Sequence, residues 1–396
     1  MKNLTTTIVF CALIGALTVA STVNPVREYS ETENRALAQR PKFSFKTLFD
    51  GKFTADYEEF ITDQFVARDL WITLKTRSEL ALGKKDSNGV YFGEYGYLFG
   101  KHDFDAERAD KNTAFLSAFL ENKADSYNIR VMIAPTASLI HADKLPANAP
   151  VWDQAAFLDK VGALDGAVDA RDVLMAHNAE DIYYKTDHHW TTLGAYYAYT
   201  ALCESLGLTP LPEDTARVTL AEDFVGTLAA KVNLPMEPET IFTYDTDVAV
   251  QVDYNLGMKV TDTLIEESYL TTRDKYGAFL DGNQPIADVQ TDVKNGKTLL
   301  VIKDSYAHCM APLLATHYER LIFLDLRAHL CVDLLLCAKD LLLVFEQHVD
   351  DLKALDGIDD LKHRLLIQKP NKDVRCDKVS EHAGVLDAAH SKADLL

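Results

Sequence analysis

The chain has 396 residues, 47% of them apolar and 25% charged, a globular composition that excludes a disordered, collagen-like or polytopic membrane protein. At roughly 150 residues per domain the length allows two or three domains, or one α/β domain with an insertion. Sixty acidic against forty basic residues leave a net charge of −20, so the average surface repels polyanions and no nucleic-acid partner is expected.

Lys2 precedes an almost uncharged run from Leu4 to Val23 with an apolar heart from Ile8 to Ala20. This is an export signal with a small-residue cleavage point after Ala20, or a retained single-pass anchor, since about 20 apolar residues span a bilayer. The protein is therefore expected outside the cytoplasm, secreted or held to the cell envelope. Residues 24–48 are polar, contain Pro25 and Pro41, and read as a stalk. The spacing of Phe53, Tyr57, Phe60 and Ile61, then Phe65, Leu70, Trp71 and Leu74, predicts helix over 49–82. Val90-Tyr91-Phe92 and Tyr97-Leu98-Phe99 flank a Gly-rich turn and predict a hairpin.

An α/β rhythm follows: helix over about 110–126, strand over 129–134 stopped by Pro135, strands at 166–169 and 182–184, and helix over about 193–206. Residues 210–292, rich in turns and alternating stretches, read as a strand-rich insertion. Strand 298–302, helix 306–316 and strand 321–326 form a β-α-β unit, which implies parallel strands. One domain is thus expected over 49–369, and the polar residues 370–396 are expected to be a mobile tail. Beyond Cys11, the cysteines 203, 309, 331, 337 and 376 are odd in number and lack CxxC spacing. They support neither a disulfide framework nor a zinc cluster, and burial is expected for most of them.

Two polar clusters could carry chemistry. In Tyr183-Tyr184-Lys185-Thr186-Asp187-His188-His189-Trp190-Thr191-Thr192, Asp187 and His189 are two apart at a strand end and can share a side. A carboxylate would then hold one imidazole nitrogen while the other faces a hydroxyl. His188 would point elsewhere. In Val301-Ile302-Lys303-Asp304-Ser305-Tyr306-Ala307-His308, an apolar strand runs into a helix, which places Ser305 at the carboxyl end of a parallel strand. The backbone N–H of Tyr306 is a candidate oxyanion donor, and Asn283 and Arg327 are further donors by position. Other readings fit the same residues: Ser305 as a helix N-cap, the histidines as buried core groups, or a metal site from Asp187, His189, His308 and His317 that lacks HExxH spacing.

Taken together, the string Tyr-Lys-Thr-Asp-His-His-Trp-Thr, with Gly194-Ala195-Tyr196 after it, resembles the signature of the bacterial DHHW protein family. That family is related to the SGNH-hydrolase-like alginate O-acetyltransferases. Further matches are Glu33-Asn34-Arg35, Asp63-Gln64-Phe65 with Arg68, Asn88 to Gly93, Pro135-Thr136, Asp274-Lys275-Tyr276 with Gly282-Asn283, Lys303 to Tyr306, and Asp325-Leu326-Arg327. The resemblance implies an α/β, SGNH-hydrolase-like (flavodoxin-like) three-layer fold with a mostly parallel sheet. It also implies a triad in which Ser305 is nucleophile, His189 general base and Asp187 the orienting carboxylate. Tyr306, Asn283, Arg327, His188, Trp190 and His308 are then the oxyanion or substrate candidates. His308 and Ala328 stand where many members carry asparagine and tyrosine. The implied function is an extracytoplasmic O-acetyltransferase that needs no cofactor or metal, with a membrane-bound O-acyltransferase supplying the acyl group and a cell-surface or exopolysaccharide glycan accepting it. A carbohydrate esterase with the same triad and a non-catalytic cell-surface scaffold are the alternatives.

Overall fold

Strand alternation sets the layers. In the computed structural model, which describes residues 2–30, 32–33, 35–325 and 340–346, Leu299 and Val301 enter one apolar cluster with Met132 and Phe323. Leu300 and Ile302 enter a second with Ile133 and Ile322. Successive side chains of a strand point to opposite faces, so the sheet is buried on both sides. Helix Thr192–Leu206 supplies Leu202 and Cys203 to the first cluster. Helix Ala106–Lys123 supplies Leu116 and Leu120 to the second, and helix Gln154–Gly162 adds Phe157 and Val161.

The central sheet has seven strands: β1 Asn128–Ala134, β2 Val250–Tyr254, β3 Lys259–Thr261, β4 Ile286–Thr291, β5 Thr298–Lys303, β6 Arg320–Asp325 and β7 Asp340–Glu346. Their spatial order is β3-β2-β4-β6-β5-β7-β1. Strands β6, β5, β7 and β1 pair in parallel, whereas β3, β2, β4 and β6 pair antiparallel. The expectation of a mostly parallel sheet is therefore corrected to a mixed one. The reason is that residues 210–292 contribute β2, β3 and β4 to the sheet itself. Strands β2 and β3 are joined by a short turn, which favours an antiparallel pair, and β4 pairs antiparallel with both β2 and β6.

Before the sheet, helix over 49–82 is realised as Phe45–Phe49, Lys52–Asp63 and Arg68–Ala81. The breaks fall at Gly51 and Ala67, both left-handed, at φ 80 and 54. Within 24–48, Arg35 Nη1 donates to Asp63 at 2.8 Å and Arg27 N to Gln64 Oε1 at 2.9 Å. Helix Leu4–Val23 is long and apolar enough to cross a membrane, and none of it is buried against the rest of the chain. The hairpin is present, Val90–Phe92 against Leu98–Gly100. Cys203 and Cys309 are free and buried; Cys331, Cys337, Cys376 and the expected tail lie outside the described residues.

Behind the hairpin, His141 is fully buried between the rings of Tyr97 and Tyr183. Its Nδ1 accepts from Lys144 Nζ at 3.1 Å, so Nε2 carries the proton, and Nε2 has no partner among the described residues. Burial, then the Lys144 charge, pushes the imidazole down to about 4. Because the folded value lies below the ordinary 6.5, the neutral ring's contribution is complete above about pH 6.5 and is lost as pH falls toward 4, by up to about 3 kcal/mol. The thermal midpoint of the wild type is expected to drop more steeply between those values than that of His141→Phe. Equal slopes would place the acid sensitivity elsewhere.

Candidate active site

Strand β5 is apolar, buried and central in the parallel half of the sheet, and it delivers Ser305 at its carboxyl end. The helix expected over 306–316 is a 3-10 turn, Ser305–Met310, followed by Ala311–Ala315. Asp304, not Ser305, caps it: the Asp304 carboxylate accepts from Tyr306 N at 2.9 Å. The serine is thereby released from the capping role, and its side chain is half-buried at a cavity wall.

The loop carrying Asp187 and His189 is closed by an antiparallel bridge between Tyr183 and Trp190. Tyr184 N donates to His189 O at 3.2 Å, and Thr191 caps the helix that follows. Inside the loop, Asp187 Oδ1 lies 2.6 Å from His189 Nδ1 and also accepts from His189 N at 3.1 Å. On the far side of the ring, His189 Nε2 lies 2.8 Å from Ser305 Oγ. Asp187 Oδ2 accepts from Thr227 N at 2.7 Å and from Thr227 Oγ1 at 2.8 Å. With the Asp187 carboxylate accepting from Nδ1–H, Nε2 is unprotonated and accepts from the serine hydroxyl. Burial alone would raise the Asp187 carboxyl, but the imidazoles of His188 and His189 and the hydrogen bonds from His189 and Thr227 hold it well below the usual carboxylate range. The chain thus has a continuous carboxylate–imidazole–hydroxyl relay, which is what removal of a serine proton near neutral pH requires.

His188 lines the same cavity as Ser305 but bonds Thr227 rather than the serine. Its Nδ1 donates to Thr227 Oγ1 at 3.0 Å, and burial, with His189 beside it, pushes the ring down to about 3. Trp190 is buried and its Nε1 donates to Tyr306 O at 2.9 Å, while Tyr306 Oη donates to His188 O. The two clusters are therefore laced together by Trp190 and Tyr306. The expectation that Tyr306 N–H serves an oxyanion is corrected, because that donor is engaged by Asp304. Asn283 and His308 line the cavity, and His308 Nε2 accepts from the buried Lys303 Nζ at 2.7 Å. His317 bonds Tyr199 instead. Arg327 and Ala328 lie outside the described residues.

Several members of the site had no role assigned from sequence, Tyr276 among them although its motif was noted. Tyr276 stacks on the His189 ring at 4.0 Å and donates to Ser305 O at 3.1 Å. Glu239 accepts from the backbone N–H groups of Lys185 and Thr186, at 2.7 and 2.9 Å, fixing the loop's entry. Gly226 packs so closely that a Cβ there would lie 2.3 Å from Asp187 Cβ and 2.5 Å from its Oδ2. Gly226→Ala must push Asp187 off the imidazole, and activity is expected to fall by about 10²-fold or more, as for other misplaced catalytic geometry. Unchanged turnover of an aryl ester would refute the clamp.

The cavity holds about 230 Å³ and includes Asp187, His189, Ser305, Tyr276, Asn283 and His308. A second groove of about 480 Å³ adjoins it, sharing Val225 and Arg273. Ligand atoms of Asp187, His188 and His189 lie within 4.8 Å of one another and could gather a metal ion. Both Asp187 oxygens and both His189 nitrogens are already engaged in the relay, so a metal would have to displace those bonds.

The family model described as DHHW protein matches residues 94–324, more than half of the chain. Among solved structures, a DHHW family protein from Eubacterium siraeum is 25% identical, with a TM-score of 0.57, covering 68% of this chain and 96% of its own. Bacillus cereus PatB1, in a structure with a sulfonyl adduct, is 19% identical with a TM-score of 0.53 and the same coverages of 68% and 96%. No curated protein matches. On the span of that family match, this chain belongs to the DHHW protein family.

Proposed function

We propose that this chain is an exported serine O-acyltransferase that forms an acyl-Ser305 intermediate and passes the acyl group, an acetyl group in the simplest case, to a glycan hydroxyl. The observation that carries this reading is the unbroken relay from Asp187 through His189 to Ser305, with contacts of 2.6 and 2.8 Å. Ser305 Oγ attacks the donor carbonyl as its proton moves to His189 Nε2. The tetrahedral adduct collapses when that proton passes to the leaving oxygen, leaving the acyl group on Ser305. An acceptor hydroxyl enters by the adjoining groove and gives its proton to His189. It takes the acyl carbon, and Ser305 recovers its proton.

Asn283, which lines the same cavity as Ser305, supplies an oxyanion donor in this scheme. The apolar helix Leu4–Val23 fits a protein working on the extracytoplasmic side of a membrane. A membrane-bound O-acyltransferase is the proposed source of the acyl group. The test is the product: incubation with an activated acetyl ester and a panel of glycans should yield acetylated sugar in mass spectra, dependent on Ser305. Acetate alone, with every acceptor unmodified, would make the protein an esterase. Neither product from a folded protein would leave a scaffold.

A further inference from the structure

Beyond the polar residues 24–39 that follow the apolar helix, the chain turns basic. Residues 40–53 contain Arg40, Lys42, Lys46 and Lys52 against one acid, Asp50, in a protein whose net charge is −20. The same stretch contains four phenylalanines, and three of them face solvent: Phe43 is 57% exposed, Phe45 71% and Phe49 85%. Helix Phe45–Phe49 buries none of its residues. The rings are nonetheless ordered among themselves, Phe43 against Phe45 at 5.4 Å and against Phe53 at 5.3 Å, with Tyr57 stacked beyond Phe53 at 5.7 Å. Helical spacing puts Glu58 and Glu59 away from Phe53 and Tyr57 on helix Lys52–Asp63, and Asp56 is the acid that neighbours Phe53. A fixed, exposed aromatic surface with a basic rim is built for a partner rather than for water.

Its place in the fold says which partner. Ser21, in the last turn of the membrane-length helix, accepts from Val66 N at 3.3 Å. Arg27 N is held by Gln64, the residue that ends helix Lys52–Asp63. The end of the apolar helix is thus tied to the C-terminal end of the helix whose first turns carry Phe53 and Tyr57, about 17 Å along its axis. Aromatic rings flanked by lysines are the composition of segments that lie in the headgroup region of anionic bilayers. We propose that residues 40–53 form a foot seated in an anionic membrane surface, Phe45 and Phe49 entering the acyl boundary while Lys42, Lys46 and Lys52 meet lipid phosphates. This contact is independent of the acyl-transfer reading. It keeps the folded body on the membrane even when the apolar helix has been cut away.

The test uses the full chain in vesicles, with a protease site inserted after Asn24 and cut once the protein is reconstituted. The body is expected to stay with phosphatidylglycerol-containing vesicles at low salt and to leave pure phosphatidylcholine vesicles. It should also be released at about 0.5 M salt, where the Debye length falls to a few ångströms. Phe45→Ser with Phe49→Ser should lower retention by roughly tenfold or more. Lys42→Glu with Lys46→Glu should lower it by at least roughly fivefold for each charge removed. Both variants should keep the wild-type thermal midpoint, which shows that they are folded. Release of the cut wild type from anionic vesicles at low salt would overturn the proposal, as would retention of both variants at the wild-type level.

Discussion

Ser305→Ala is expected to lower turnover of an aryl acetate by about 10⁵-fold while leaving the thermal midpoint nearly unchanged, because removal of a triad member leaves only binding and oxyanion stabilisation. The small stability effect follows from local structure. The serine hydroxyl is half-buried at the cavity wall, and its side chain touches the fold through His189 Nε2. The cap of the 3-10 turn is Asp304, so the alanine removes no capping bond. A large fall in midpoint would mean that Ser305 is structural. An unchanged rate in a folded variant would mean that the nucleophile is another group.

The second large effect is expected from Asp187→Asn, a loss of about 10³- to 10⁴-fold through the wrong imidazole tautomer. The carboxylate accepts four bonds: two from His189, and two from Thr227. An amide has a single acceptor oxygen. Turned toward Thr227, it presents N–H to His189 Nδ1, which forces the ring proton onto Nε2 and against the serine hydroxyl. Turned the other way, it opposes the two Thr227 donors. Either way a buried donor loses its acceptor, at about 1–3 kcal/mol, so the midpoint should fall as well. The depressed Asp187 carboxyl also fixes a pH sign. Its folded value lies below the unfolded one, so its contribution to stability is present above about pH 4 and is lost as pH falls through the folded value. The acid limb of activity is then set by groups other than Asp187. Esterase rates and melting curves of the variant across pH check both statements.

Much of the relay was legible in the string. Asp187 and His189 stand two apart beside a short β-bridge, and Ser305 ends an apolar strand; each position follows from local pattern. Strands β1, β5 and β6 and helix Thr192–Leu206 were likewise visible as apolar runs with clear stops. The mixed sheet was not, because alternation within β2 and β4 gives each strand's faces but not its neighbours. The break at Ala67 was hidden too, since alanine seldom adopts φ 54. Thr227 and Glu239 act on the loop from 40 and 53 residues away. Nothing in Gly226-Thr227 or around Glu239 marks those contacts in advance. Tyr306 N–H looked free for an oxyanion because N–H groups at a helix start lack intrahelical partners, whereas the Asp304 carboxylate accepts it.

The most direct test of the central claim, an activated Ser305, is intact-mass spectrometry of the full chain in detergent after treatment with a fluorophosphonate. A single adduct on the wild type is expected, with none on Ser305→Ala and strongly slowed labelling on His189→Ala and Asp187→Asn. An unlabelled, folded wild type, or an adduct that persists on Ser305→Ala, would contradict it.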